Sequence, residues 1–173
     1  MSIEIVLIGL EQEADLKLRN EPFPLFGRLI PALQNGIWTW REELFESPAQ
    51  MCFPEEDYAL AEDRFYLGAY EDSTCIGLAV LEKSWTKYLY LSDLKVRSAS
   101  RRKGIGHLLI EEALNLARQY GYRGLSVVAQ DNNLAACRFY LKEGFVIGGF
   151  DNQVYTGTSQ AGKADVYFYR DLP

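Results

Sequence analysis

A chain of 173 residues, 48% hydrophobic and 24% charged, suits one soluble domain whose core is large enough to need no disulfide or metal staple. No apolar run approaches the roughly 20 residues of a membrane span, and Met1–Leu10 is too short and too acidic for a secretion signal. The net charge of −6 argues against nucleic acid as a partner, and Cys52, Cys75 and Cys137, odd in number and without ligand spacing, argue for reduced thiols in the cytoplasm.

Ser2–Ile8 is expected as a first strand, with Ile3 and Ile5 set against Glu4 and Val6. Leu25, Leu29, Leu33 and Ile37, then Trp40 and Leu44, follow at helical spacing. Pro31 and Gly36 interrupt them, so two short helices are expected over residues 25–46. Phe65–Tyr70 and Thr74–Glu82 read as strands joined by a turn at Glu71-Asp72-Ser73, and Tyr88–Val96 as the third of the series. From Gly104 the apolar positions Ile105, Leu108, Leu109, Ala113, Leu116, Ala117 and Tyr120 form a helical stripe that Gly121 stops. Gly124–Ala129 reads as a buried strand, Asn133–Lys142 as a second helix ended by Glu143-Gly144, and Phe145–Gly149 and Asp165–Tyr169 as closing strands. The strand–helix–strand run in the middle predicts a right-handed parallel crossover inside an otherwise antiparallel sheet. No repeat, low-complexity tract or linker interrupts the chain, so residues 1–173 read as a single domain.

Charge is unevenly placed. Residues 42–72 hold ten acidic side chains against Arg64 alone, a local −9, whereas residues 95–103 hold Lys95, Arg97, Arg101, Arg102 and Lys103 with no acid, a local +5. The basic cluster abuts Gly104-Ile105-Gly106, where a strand runs into a helix. The first turn of a helix leaves about four N–H groups unpaired beside the positive end of its dipole, and glycine lets the backbone approach an anion closely. A nucleoside-triphosphate loop would need Gly-x4-Gly-Lys-Ser/Thr, which is missing, and a dinucleotide fingerprint would need Gly where Leu109 stands. On these six residues alone, a loop without a ligand stays open as well.

Arg101-x-x-Gly104-x-Gly106, five residues beyond Val96, resembles the signature of the GNAT superfamily of acyl-CoA-dependent N-acyltransferases. Asn133, Ala136, Tyr140 and Gly144-Phe145 match its second motif in order and spacing. The runs Ser84-Trp85-x-Lys-Tyr88, Leu91-Ser-Asp-Leu94-x-Val96 and Gln130-Asp-Asn-Asn-Leu-x-Ala136-Cys137-x-Phe139-Tyr140 are similar to those of streptothricin acetyltransferases. The resemblance implies a GNAT-type α/β fold: a mixed, mostly antiparallel sheet with a central parallel strand pair splayed to bind CoA, and helices on both faces. It implies acetyl-CoA as cosubstrate, placed mainly by residues 88–145, with the acceptor side mainly in residues 20–70.

Residue by residue, the resemblance implies that Leu94, Lys95 and Val96 offer their backbone to the pantetheine arm. Arg101, Arg102, Lys103, Gly104, Ile105 and Gly106 would hold the pyrophosphate, and Asn133 would hydrogen-bond the pantetheine. Tyr140 would lie by the sulfur and protonate the departing thiolate, as a phenol with a pKa near ~10 can. Asp93 and Glu82 are candidates to relieve the acceptor amine of its proton, with Tyr90 and Ser92 as water-holding groups. Asp93 has the opposite strand parity to Tyr90 and Ser92, so one set faces away unless the strand bulges. Asp93 could equally be a structural partner of Arg97.

The implied acceptor is a primary amine on a small cationic molecule, such as a streptothricin-type antibiotic in a resistance role, which the acidic segment would attract. Acetylation of a protein lysine or N-terminal amine is the alternative, as is a non-catalytic acyl-CoA-binding regulator, against which Tyr140 argues. Cys137 reads as a packed thiol rather than an acyl carrier. With His107 the sole histidine, no metal site is expected. No membrane partner is expected either, and a homodimer is compatible with the sequence.

Overall fold

A computed structural model describes residues 2–173, which form two compact units. The first takes the chain up to Glu21, Cys52–Leu125 and Asp171–Pro173; the second takes Pro22–Met51 and Ser126–Arg170. In chain order the strands are β1 (Ile3–Leu7), β2 (Phe23–Gln34), β3 (Ile37–Met51), β4 (Arg64–Glu71), β5 (Thr74–Glu82), β6 (Tyr88–Val96), β7 (Gly124–Gln130), β8 (Val146–Asp151) and β9 (Asp165–Asp171). The helices are α1 (Ile105–Gln119) and α2 (Leu134–Lys142).

In the first unit β1, β4, β5 and β6 lie side by side in that order, each antiparallel to the next. β5 and β6 have the bounds that the sequence predicts. Asp72 and Ser73 close the β4–β5 hairpin with φ of 47° and 64°, the paired positive values of a two-residue turn whose twist suits the flanking strands. Every residue from Cys75 to Leu81 is buried, because both faces of β5 are covered. On one face sits α1: a Cβ on Gly77 would meet Ile105 Cγ2 and Leu109 Cδ1 at 3.3 Å, so glycine there sets the approach of the helix. On the other face Leu16 and Leu18 pack with Tyr66, Tyr70, Leu78 and Val80. Those two leucines come from a 3-10 segment, Leu10–Lys17, and the residue after it, which the sequence pattern does not announce.

The pairing of β5 with β6 slips at one point. Leu81 pairs with Leu91 and Val80 with Asp93, so Ser92 is an extra residue. That bulge removes the parity objection raised by the sequence, because it resets the alternation of side chains between Tyr90 and Asp93.

The second unit corrects the expectation for residues 25–46. They form no helix; β2 and β3 are the arms of a long antiparallel hairpin. Its turn is Asn35-Gly36, with φ of 50° and 77°, the strongest short-range hairpin signal a sequence carries. The leucine spacing of four that suggested a helix is also a multiple of two, and so fits a strand face equally well. Between the pairs Leu25–Ala49 and Gly27–Leu44 the ladder is interrupted, at a stretch of β3 that includes Pro48, which has no N–H to give. Gly27 is forced: a Cβ there would stand 2.7 Å from the Glu43 carbonyl oxygen and 2.8 Å from Leu134 Cδ2. In the same unit the strand order is β7-β9-β8, with β8 and β9 antiparallel. Among the described residues no helix is long and apolar enough to cross a membrane.

Candidate active site

In the first unit β6 runs through a short 3-10 turn, Ser98–Ser100, into the predicted anion cradle. Arg101 folds back, its Nε donating to the Val96 carbonyl at 3.0 Å, so this guanidinium helps to close the loop. Arg102 has φ of 63° and Gly104 of 82°. Gly104 is the residue before α1, provides no side-chain cap, and a Cβ on it would meet nothing within 4 Å. Glycine is therefore required by backbone conformation and not by packing, and the space before the helix is open. The first turn of α1 holds no acid. An uncapped helix start, open in front and flanked by Arg102 and Lys103, suits an anion.

The same unit gathers a polar cluster on β6. Tyr58 donates its hydroxyl to Asp93 Oδ2 at 3.0 Å, and Lys95 Nζ lies 3.5 Å from that oxygen. Lys95 Nζ also donates to Asn20 Oδ1 at 3.0 Å and Glu56 Oε2 at 3.2 Å, and it lies 5.5 Å from the centre of the Tyr58 ring. Asn20 is fixed in turn by the Pro54 carbonyl and by the Glu55 and Glu56 carboxylates. Burial pushes the Asp93 carboxyl above the usual carboxylate range, opposed by Lys95. Burial and the neighbouring Asp93 raise Tyr58 as well, which keeps it a donor.

The partners of Asp93 are thus Lys95 and Tyr58, where the sequence suggested Arg97. Glu82 is paired with Arg64 at 3.3 Å, and Ser92 donates its hydroxyl to the Val80 carbonyl at 3.3 Å. Lys95, expected to contribute backbone, has its side chain locked in this cluster. Tyr58, Glu56 and Asn20 were not legible: they belong to no motif, and the fold brings them to β6 from far away in the chain.

In the second unit Asn133 caps α2, its Oδ1 accepting from the Ala136 N–H at 3.2 Å. Tyr140 is buried among the rings of Phe139, Phe145 and Phe168, with centroids 5.3, 5.4 and 5.7 Å away. Cys137 is wholly buried, and burial pushes its thiol up to about 12. Gln130 Nε2 donates to the Tyr155 hydroxyl at 2.9 Å, and Tyr155 donates to Asp165 at 2.7 Å, a network that the sequence did not signal.

The acidic segment is less available than its charge suggests. Glu42 makes a two-pronged pair with Arg138 at 2.6 and 2.8 Å, Glu43 lies 3.7 Å from Arg28, and Glu55 and Glu56 are engaged as above.

Residues 34–145 match the family model described as the acetyltransferase (GNAT) family. The chain belongs to the GNAT family. It is an N-acetyltransferase, and it has the mixed-sheet GNAT fold that the sequence led one to expect. Among its GNAT relatives, streptothricin acetyltransferase A of Bacillus subtilis (strain 168) is 34% identical over 90% of this chain and 92% of its own length. A streptothricin acetyltransferase of Streptomyces lavendulae is 30% identical over 77% and 76% of the two chains. A crystal structure from Bacillus anthracis str. Ames, assigned as a streptothricin acetyltransferase and in complex with acetyl coenzyme A, superposes with a TM-score of 0.90. It is 29% identical and covers 99% of this chain and 100% of its own.

Proposed function

We propose that the enzyme moves the acetyl group of acetyl-CoA to a primary amine on a small cationic molecule of the streptothricin kind. The observation that carries the donor side is the uncapped start of α1, with Gly104 in the left-handed region and open space before it. Likeness to streptothricin acetyltransferases over most of the chain supports the acceptor class.

Acetyl-CoA supplies an activated acyl thioester. Backbone N–H groups from Arg102 to Gly106 bind its pyrophosphate, helped by the Arg101 and Lys103 charges. The backbone of Leu94, Lys95 and Val96 and the side chain of Asn133 orient the pantetheine. A backbone N–H of that strand offsets charge on the acyl oxygen. An amine of pKa near ~10.4 must lose a proton before it attacks, a cost of about 4–5 kcal/mol at pH 7. Asp93 takes that proton, directly or through one water, and its buried carboxyl is a stronger base than one in solvent. The Tyr140 hydroxyl gives a proton to the sulfur as the C–S bond breaks.

Thiol release from acetyl-CoA, followed across a panel of cationic amines that includes streptothricin, tests the reading. Turnover with streptothricin is expected. CoA binding without turnover on any amine would overturn it. Tyr140→Phe should lower kcat on the order of 100-fold with little change in the KM for acetyl-CoA.

A further inference from the structure

We propose that Tyr58, Lys95 and Glu56 are positioning residues that hold Asp93 in its working protonation state and aim one of its oxygens at the acceptor. This rests on the reading of Asp93 as the base.

The case starts from counting donors and acceptors. An ionised carboxylate can only accept, and a lysine ammonium can only donate. Lys95 has three N–H groups and three acceptors within reach, Asn20 Oδ1, Glu56 Oε2 and Asp93 Oδ2, so its ammonium is fully held. Tyr58 reaches the same Asp93 Oδ2. Both contacts therefore fall on one oxygen of Asp93, and among the described residues none falls on Oδ1. That oxygen is the one left to take a proton from an amine or from its water. The cluster carries Lys95 against Asp93 and Glu56, a net negative charge that favours an ammonium over a neutral acceptor.

The geometry also assigns a sign to each neighbour. The Tyr58 hydroxyl and the Lys95 ammonium favour the ionised form of Asp93, whereas the Glu56 carboxylate disfavours it. Arg64 on β4 acts on Tyr58, not on Asp93. Among the described residues no other charged group is prominent at Asp93. Burial of the Lys95 and Asp93 side chains, 11% and 20% exposed, keeps these interactions from being screened as a surface pair would be.

The experiment is the pH profile of kcat/KM at its acid limb, where the base becomes protonated. Ionisation of the amine substrate is common to every variant and cancels in the comparison. Tyr58→Phe keeps the ring beneath Lys95 and removes one hydrogen bond, so the limb should move up by about 0.5–1 pH unit. Lys95→Met should move it up further. Glu56→Gln should move it down, by roughly half a pH unit, since it removes a like charge and leaves Lys95 more fully to Asp93. Shifts of opposite sign at Tyr58 and Glu56 are the result expected. A general loosening of the site would move both variants the same way, and that result would overturn the inference. Asp93→Asn separates the two readings. Undiminished kcat in that variant removes the base and this inference with it. A crippled Asp93→Asn beside unmoved limbs in Tyr58→Phe and Glu56→Gln retains the base and overturns the positioning network.

Discussion

β5 and β3 are both arms of antiparallel hairpins, yet they use their side chains in opposite ways. From Cys75 to Leu81 every side chain of β5 is buried, with α1 on one face and the Leu16–Leu18 segment on the other. β3 has no buried residue along its whole length from Ile37 to Met51, and Ile37 and Leu44 are exposed. The first strand is held by what packs on it. The second is held by its ladder to β2 and by a few ties, among them the contact of Gly27 with Leu134 and the Arg138–Glu42 pair. Stability should therefore reside in β5 and its neighbours, and the hairpin should be tolerant except at those ties.

Paired truncations give the largest expected effect. Leu78→Ala on β5 removes a fully buried side chain and should cost about 2–5 kcal/mol in a denaturant titration. Leu44→Ala on β3 should stay within about 0.5 kcal/mol. Equal costs would break the contrast, because they would mean that the exposed arm is covered in solution. Gly27→Ala comes next. It drives a methyl group into the Glu43 backbone carbonyl and into the end of the fully buried Leu134 side chain, and should cost roughly 1–3 kcal/mol. A neutral Gly27→Ala would show that the hairpin yields even at its tightest contact.

The same contrast explains what could be read in advance. β4, β5, β6, α1, β7 and α2 were legible because burial writes a periodic or continuous apolar pattern into the sequence. β3 is exposed on both faces, so nothing in its burial requires alternation, and the apolar residues of β2 and β3 imitated a helix. Asn35-Gly36 was the signal that would have separated the two. In the site, Gly104 and Asn133 were legible because a turn and a cap restrict residue type locally. The bulge at Ser92 and the cluster of Asn20, Glu56 and Tyr58 were not, since long-range pairing creates them and no local rule marks them.

Gly104 lies between these extremes, exposed in its surroundings yet constrained in its backbone. A Cβ at position 104 meets no neighbour within 4 Å, so the fold should survive Gly104→Val. A β-branched residue resists a φ of 82°, at a strain of about 1–3 kcal/mol. The loop should relax away from the geometry that binds pyrophosphate. Titration calorimetry should then find acetyl-CoA bound about tenfold more weakly, equivalent to roughly 1.4 kcal/mol. Unchanged affinity would move the anion site elsewhere.

The smallest effect on activity is expected at a fully buried residue. Cys137 resembles the side chains of β5 in its burial, and its Sγ lies 3.7 Å from the Gln130 carbonyl. With the thiol pushed up to about 12, the thiolate that an acyl carrier needs is present on the order of one part in 10⁵ at pH 7. Cys137→Ala should therefore keep kcat within about twofold, at a stability cost of about 1 kcal/mol for the small void left behind. If acetyl transfer were abolished while the fold stayed intact, direct transfer from acetyl-CoA to the amine would be wrong, and a buried thiol would have to open to the cosubstrate on every turnover.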